Sequence, residues 1–544
     1  MEEKNSFDIK SPEPKSPPEV LEGEIKDTIP IDEGFRRDFT PRQIHVISLG
    51  SQLGAGYWVV TGKALANGGP GAVFLAYVLV CTGVTVVLQT LSEMTIAFPV
   101  SGNFVNFADR WVDPAAAFAV GFAEWLGWTA TTSAEALVFN TLVNYWADGS
   151  VHEAVWLSVF VAACMCIFIM PNKWFAWFEY VVCILKIVAF FIIIVACFAM
   201  IGGAGPAGKV HNGETWRDYP AFANGFQGFG NAMLIAIWAM GDQVFTGIMA
   251  GESASPRFSM AHATKLVPLR VTVVFLLSVV VIGILVPQDE PRLFSGSSSS
   301  ASPFVIALND AGIQGLPDFV NVIVILGILS VAVESVYISS RILRAMSHQG
   351  LLPKFIARID SKGRPRWSLA ITGGIAIMLT YINLSNTGAI VFTWLSNVIS
   401  SSFMLVWIIV SITSFRFRAA IKAQNDPLFT ETYAYRCTLY PFPPTWLFLI
   451  GTLLLTSLIY TGLLPVGSDS VSVYSFFEYF IGVLLVLVGF VGFKFVYPRT
   501  KLRDPRTADL KTGRRTLSVE EIEMLDKYYR MPVWRRVGTY VKIW

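Results

Sequence analysis

Charge is what this sequence has least of. Only 15% of its 544 residues are Asp, Glu, Lys or Arg, against about 25% in soluble globular domains. The shortage is concentrated in long uncharged blocks that recur along most of the chain. That pattern excludes an ordinary soluble domain and points to a polytopic membrane protein. The net charge of +2 is too small to argue for a nucleic-acid partner. Histidine is scarce: His45, His152, His211, His262 and His348 are scattered near the ends of apolar runs or in loops and make no metal site. Cysteine is equally sparse. Five of the six (Cys81, Cys164, Cys166, Cys183 and Cys197) lie in apolar runs, where a thiol behaves as a small hydrophobe, and Cys437 stands apart. Neither a disulfide framework nor a zinc site follows. No clustered Ser/His/Asp or Cys/His set lies near an interface, which argues against a membrane enzyme. No cofactor is expected.

Residues 1–43 are polar and proline-rich ("SPEPKSPPE") and have too few apolar side chains for a core, so they are expected to form a disordered cytosolic tail. The first apolar run follows this tail. No small-residue cleavage site comes after that run, so it is not read as a signal peptide.

The long apolar runs are what the sequence does have. A helix needs about 20 mostly apolar residues to cross the hydrocarbon. Twelve segments qualify, at roughly 44–65, 72–97, 115–146, 152–170, 175–201, 228–250, 267–287, 317–343, 367–383, 388–413, 443–464 and 472–497. The third and eighth are long enough to tilt or project, and the ninth is the weakest. Loops on one side carry sixteen Lys and Arg, among them Arg257, Lys265, Arg341, Arg344, Arg416 and Arg418. The other side has four: Lys63, Lys209, Arg217 and Arg292. This bias predicts a cytosolic N-terminus and an even number of spans. The basic tail at 498–544 then falls on the cytosolic side too, and the serine-rich stretch at 288–303 is an exposed outer linker.

Two of the spans are poor helices. "ISLGSQLGAGYWVVTGKAL", from Ile44, carries Gly50, Gly54 and Gly56. Glycine costs roughly 1 kcal/mol against alanine inside a helix. The alternative is close packing, since Gly50 and Gly54 are four apart. A phosphate-binding loop does not fit: no strand precedes the run and no Lys-Ser/Thr follows it. The sixth span repeats the anomaly, with Gly230, Gly241, Gly247, Gly251 and a mid-span Asp242. If spans 1–5 and 6–10 are two repeats, the interrupted helices occupy matching places, the strongest sequence pointer to a transporter site. An unwound turn in lipid is tolerated only where its polar backbone lines a cavity. Freed N–H groups attract a carboxylate and freed carbonyls an ammonium, which together suit a zwitterion.

Four blocks resemble one family. "LGSQLGAGYWVVTGKALANGGP" is similar to the first-span signature of the amino acid–polyamine–organocation superfamily, closest to its fungal amino acid permease branch. "SEMTIAFPVSGNFVNFADRWVDPAAAFAVGFAEWLGW" resembles its junction of spans two and three, and "TSAEALVFNTLVNYW" its third span. "SSRILRAMSHQGLLPKFIARIDSKGRPRWS" is similar to its connection of spans eight and nine, the most specific of the four. The resemblance runs from about Phe39 to the twelfth span. It implies an all-α fold of twelve transmembrane helices: five-helix repeats at 44–201 and 228–413 in inverted orientation, helices 11 and 12 at 443–497, and alternating access. It implies a substrate carboxylate on Gly54, Ala55 and Gly56, an ammonium on carbonyls near Trp238, Ala239 and Gly241, and an aromatic lid at Trp238. Ser51, Met240 and Asp242 complete the expected substrate site. Two departures stand out: Ala55 replaces the usual Ser or Thr, and Val244 stands at a usual glutamate, with Asp242 extra.

Ionisable groups within the spans need a partner or a task, because a mid-bilayer charge costs on the order of 3 kcal/mol or more. Lys186 lies deep in span five. The resemblance places it where sodium-coupled relatives hold a cation, so a proton is the expected coupling ion. A fixed pair with Glu179, seven residues earlier, is the alternative. Glu124, Trp128, Thr131 and Glu135 fall on one face of span three, and Glu135 matches a family glutamate as site wall, proton relay or structural acceptor. Asp242 suits a cationic substrate or, slightly better, a helix cap. Glu334 shares a face with Arg341 and Glu252 opens a charged loop, both structural roles. The expected function is import of an amino acid or related amine by proton symport across the plasma membrane. The expected partners are a small-molecule substrate and the lipid bilayer, with no nucleic acid. An amine, polyamine or choline-type carrier, a channel and a non-transporting nutrient sensor are the alternatives.

Overall fold

The repeat of paired helices is visible in the element lengths. The computed structural model describes residues 41–542 apart from 101, 148, 170–171, 252–255, 294–301, 361–362, 385–387 and 438. The expected tail therefore lies almost wholly outside the described residues, as do Glu252 and much of the serine-rich linker. Among the described residues there are helices and no named strand. The first half runs α1 (Pro41–Gly50), a wide π turn (Gly56–Val60), α2 (Thr61–Ala97), α3 (Asn103–Trp111), α4 (Pro114–Ala147), α5 (Glu153–Ile169) and α6 (Asn172–Ile201). After the short α7 (Glu214–Arg217) come α8 (Gly225–Met240), α9 (Val244–Gly251), α10 (Pro256–Leu285), α11 (Pro303–Asp310), α12 (Leu316–His348), α13 (Arg366–Ile382) and α14 (Gly388–Gln424). The chain closes with α15 (Phe442–Leu463), α16 (Val473–Val496), α17 (Val519–Arg530) and α18 (Val533–Lys542).

Each of the twelve expected segments overlaps helix, and the first and sixth are interrupted at 51–54 and 241–243. Eight described helical stretches are long and apolar enough to cross a membrane by length and composition, and α5 and α13 are shorter apolar helices. The two halves repeat in order. Each begins with a broken helix. Then α4 and α12 have 34 and 33 residues, and α5 and α13 have 17 each. The first apolar run passes into the second with a sharp bend, where Gly69 adopts φ +76° just before Pro70.

Packing separates an inner and an outer set. The apolar part of the α8–α9 stretch is wholly buried inside the protein, whereas only 17% of that of α16 is. The outer helices display large apolar side chains, such as Val195 at 66% exposure and Phe495 at 88%. So much exposed apolar surface suits lipid, not water. At the face carrying the basic loops, the segment after α16 lies across the ends of α2, α3 and α14. The Arg503 amide donates to the Val112 carbonyl at 2.8 Å, and the Arg515 amide to the Ala97 carbonyl at 2.9 Å. Arg418 grips the buried Glu93 with two bonds of 2.6 and 2.5 Å.

Candidate functional site

Helical bonding stops at Gly50. The Ser51 amide still reaches the Ile47 carbonyl at 2.8 Å, but Leu53 turns back to Gly50 at 3.1 Å. Helix resumes only at Ala55, where Tyr57 and Trp58 both donate to the Gly54 carbonyl at 3.1 Å. The glycines serve packing as well as the break, so both readings of the sequence hold. A side chain on Gly50 would collide with Cys183 of α6. A methyl on Gly56 would stand 3.0 Å from the Ala239 Cα, so the two interrupted segments touch backbone to backbone.

The second break spans Gly241–Gln243, between α8 and α9. Its freed carbonyls are partly met by side chains. The Trp407 indole N–H donates to the Gly241 carbonyl at 3.1 Å, and the Gln243 amide to the Met240 carbonyl at 3.3 Å. Asp242 supports α9 through its main-chain carbonyl, which accepts from the Phe245 amide at 2.9 Å. Its carboxylate does not cap α9 as expected. It accepts from Gln52 of the first break and, at 3.4 Å, from Gln243. The physical reason is reach: the carboxylate is drawn to a side-chain amide in the opposite break.

Between the breaks lies a small hollow of about 40 Å³, room for a few waters and no more. Of the expected residues, Ser51, Gly54, Gly56, Glu135, Trp238, Ala239 and Asp242 line it. Ala55 stands directly behind: its N–H donates to the Glu135 Oε1 at 3.3 Å. Met240 and Gly241 sit just outside, Met240 with its sulfur 3.6 Å from the Cys81 Sγ. The sequence had singled out Trp128 and Thr131 on the Glu124–Glu135 stripe, and both line the hollow. Gln52, Val331 and Phe403 were missed. Gln52 had a signal, a polar side chain inside a glycine-rich apolar run. Val331 and Phe403 arrive from α12 and α14 and had none. A larger open cleft of about 430 Å³ lies at the basic face. There Arg503 and Asp109 pair with each other at 3.0 Å, and neither break contributes to the lining.

Lys186 is fully buried one layer behind the hollow. Its stem packs under Gly327, beside the Leu53 carbonyl of the first break. Its Nζ donates to the Ser330 Oγ at 3.2 Å, and that hydroxyl donates to the Glu179 Oε2 at 2.7 Å. Lys186 and Glu179 are thus linked through a hydroxyl and not by a direct ion pair. Glu124 accepts the Trp128 indole N–H at 2.9 Å. Glu334 does not meet Arg341 in a hydrogen bond: both of its oxygens are buried without a partner, and the guanidinium lies 3.5 Å from the Tyr337 ring centre. Among the described residues no group of His, Cys, Asp and Glu is arranged to hold a metal ion.

The family model described as amino acid permease matches residues 43–506. The amino-acid permease GAP3 of Candida albicans is 31% identical over 519 residues, covering 93% of this chain and 85% of that protein. The histidine permease of Saccharomyces cerevisiae is 32% identical, covering 90% and 82%. The S-adenosylmethionine permease GAP4 of Candida albicans is 32% identical, covering 89% and 79%. Members of this family are transporters and not enzymes, and the residues that line the hollow fall within the matched region. The chain belongs to the amino acid permease family, as a membrane protein that transports amino acids or related amines.

Proposed function

We propose that the chain imports an amino acid or related amine by proton symport, with the hollow between the two breaks opening alternately to either side. The observation that carries this reading is the bond from the Ala55 amide to Glu135. A main-chain N–H released by the first break already holds a carboxylate, and both residues are buried. A substrate carboxylate has the chemistry to take the same place, on the amides around Gly54, Ala55 and Gly56. Its ammonium would turn to the carbonyls at the end of α8, with Ala239 the nearest contact and the Gly241 carbonyl shared with Trp407. Trp238, whose ring centre is 5.8 Å from that of Phe392, would close over it.

The hollow is too small for an amino acid as it stands, so binding would require the two breaks to move apart. Lys186 would carry the coupling proton. An ammonium has three donors, and here a single hydroxyl bond leads on to Glu179, a path along which a proton can leave or return. The basic loops would face the cytosol, with both termini on that side and the plasma membrane as the site of action.

One observation favours a second reading. If Glu135 keeps the Ala55 amide throughout the cycle, no place remains for a substrate carboxylate, and the solute is an amine without one. Uptake of labelled amino acids and amines into proteoliposomes, with and without an inward proton gradient, tests both. Gradient-driven accumulation of an amino acid supports the first reading. Accumulation of amines alone supports the second, and uptake of neither refutes transport.

A further inference from the structure

The hollow between the breaks has an uneven lining. Two of the side chains around it are carboxylates, Glu135 and Asp242, and none is cationic. The imbalance extends to hydrogen bonding. Gln52 is 4% exposed and lines the hollow, yet its Oε1 has no partner. The Oε2 of Glu135 is likewise buried and unmet. Both orphans are acceptors, so what the hollow lacks is donors. The side-chain bonds that Asp242 accepts from Gln52 and Gln243 come from neutral amides, and it makes no ion pair. Aromatic rings complete the wall. Trp128 and Phe403 stand with ring centres 5.3 Å apart, and Trp238 lines the hollow from α8. The Trp128 indole N–H is turned away to Glu124, so that donor is not offered to the hollow.

Carboxylates, unmet acceptors and aromatic rings, with no cation in the lining and Lys186 held behind it by Ser330, are the chemistry that recognises an organic cation. We infer that the transported solute carries a net positive charge and that the carboxylate of Asp242 receives its cationic side chain. The inference rests on the transport reading above and narrows it from amino acids in general to basic ones. Binding begins with the exchange of partners: the solute's cation takes over Asp242, and Gln52 turns its amide oxygen to a solute donor. A neutral solute of the same shape would break the Gln52–Asp242 contact and return nothing to either group. The sulfur or nitrogen bearing the charge is not distinguished by this chemistry, since ring faces and a carboxylate accept both.

The test uses the full chain in proteoliposomes. Uptake of labelled lysine and arginine is compared with that of the neutral isosteres norleucine and citrulline, with agmatine added to the panel. Cationic solutes are expected to show a half-saturating concentration about 10- to 100-fold lower than their isosteres, the range of one hydrogen bond to a charged group. Asp242→Asn keeps the shape and the acceptor for Gln52. It should erase that difference, the cationic solutes losing about 10- to 100-fold more than norleucine does. Equal handling of lysine and norleucine by the wild type overturns the inference without any variant, and so does an equal loss for every solute in Asp242→Asn. Agmatine carried in place of every amino acid keeps the role of Asp242 and overturns the carboxylate docking proposed above. Absence of uptake for the whole panel overturns transport itself, and this inference with it.

Discussion

The Ala55 amide and the Glu135 carboxylate meet at 3.3 Å, across the gap between a broken helix and the long α4. The contact is possible because helix restarts at Ala55, leaving its N–H without an intrahelical acceptor, and because Gly54 has no side chain. A methyl there would stand 3.2 Å from the same carboxylate oxygen. Sequence, local structure and chemistry connect at this point. Glycines stop the helix, the stop frees an amide, and the amide holds an anion.

Close approach of the two breaks makes Gly56 intolerant of substitution. Gly56→Val would force the first break off Ala239, and transport should fall at least about tenfold while the protein still reaches the membrane. Gly373 in α13 has open space around its Cα. Gly373→Ala should leave transport unchanged and stabilise the helix by about 0.5–1 kcal/mol. Equal effects of the two variants in an uptake assay would remove the contact from the account.

Lys186→Ala should abolish gradient-driven accumulation while sparing substrate binding and exchange across the membrane. Ser330→Ala removes only the hydroxyl between Lys186 and Glu179 and should slow coupled uptake with binding intact. Parallel measurements of accumulation and counterflow separate the two effects. Full accumulation in Lys186→Ala would rule out its coupling role.

The basic face offers a stability test away from the hollow. Glu93 is 2% exposed and holds both the Arg418 guanidinium and, at 2.7 Å, the Cys437 amide. Removing one partner of such a pair leaves the other charged and partly desolvated. Glu93→Ala should cost about 3 kcal/mol, the lower end of the range for buried pairs, because the Arg418 side chain is 19% exposed. The check is thermal denaturation of the purified protein followed by loss of monodispersity. An unchanged midpoint would contradict it.

Outside the spans, Arg292 holds the Glu290 carboxyl below the usual carboxylate range through a 2.7 Å bond. A carboxyl lowered on folding stabilises above its unfolded value, and the effect fades as pH falls through the lower folded one. Hydrogen exchange of the 286–293 turn should therefore stay protected down to about pH 4.3, the ordinary glutamate value, and open below it. Arg292→Gln should weaken protection already at neutral pH and remove its fall below about pH 4.3. Opening at the same pH in both proteins would remove the pair from the turn's stability.

Much of this was legible in the residues. Apolar runs of about 20 residues mark helices whatever their neighbours do. The broken first and sixth spans announced themselves through Gly50, Gly54, Gly56 and Gly241, because a glycine's helix penalty is local. The stripe of Glu124, Trp128, Thr131 and Glu135 was legible because one helix face repeats at fixed intervals. Partners arriving from distant helices were not. Nothing near Gly241 in the sequence announces Trp407, and nothing near Lys186 announces Ser330. For Asp242 local spacing leaned slightly towards a cap over pairing with a cationic solute, and it gave no hint of Gln52. Its partner, Gln52, lies in the other half of the chain and is joined to it only by the fold.

The most direct measurement is a structure of the chain with a transported solute bound. The account predicts the solute between the two breaks, its carboxylate about 3 Å from the Ala55 amide, Glu135 displaced from that amide, and Asp242 beside the solute's side chain. Solute density elsewhere, with the bonds from Ala55 to Glu135 and from Gln52 to Asp242 intact, would contradict it.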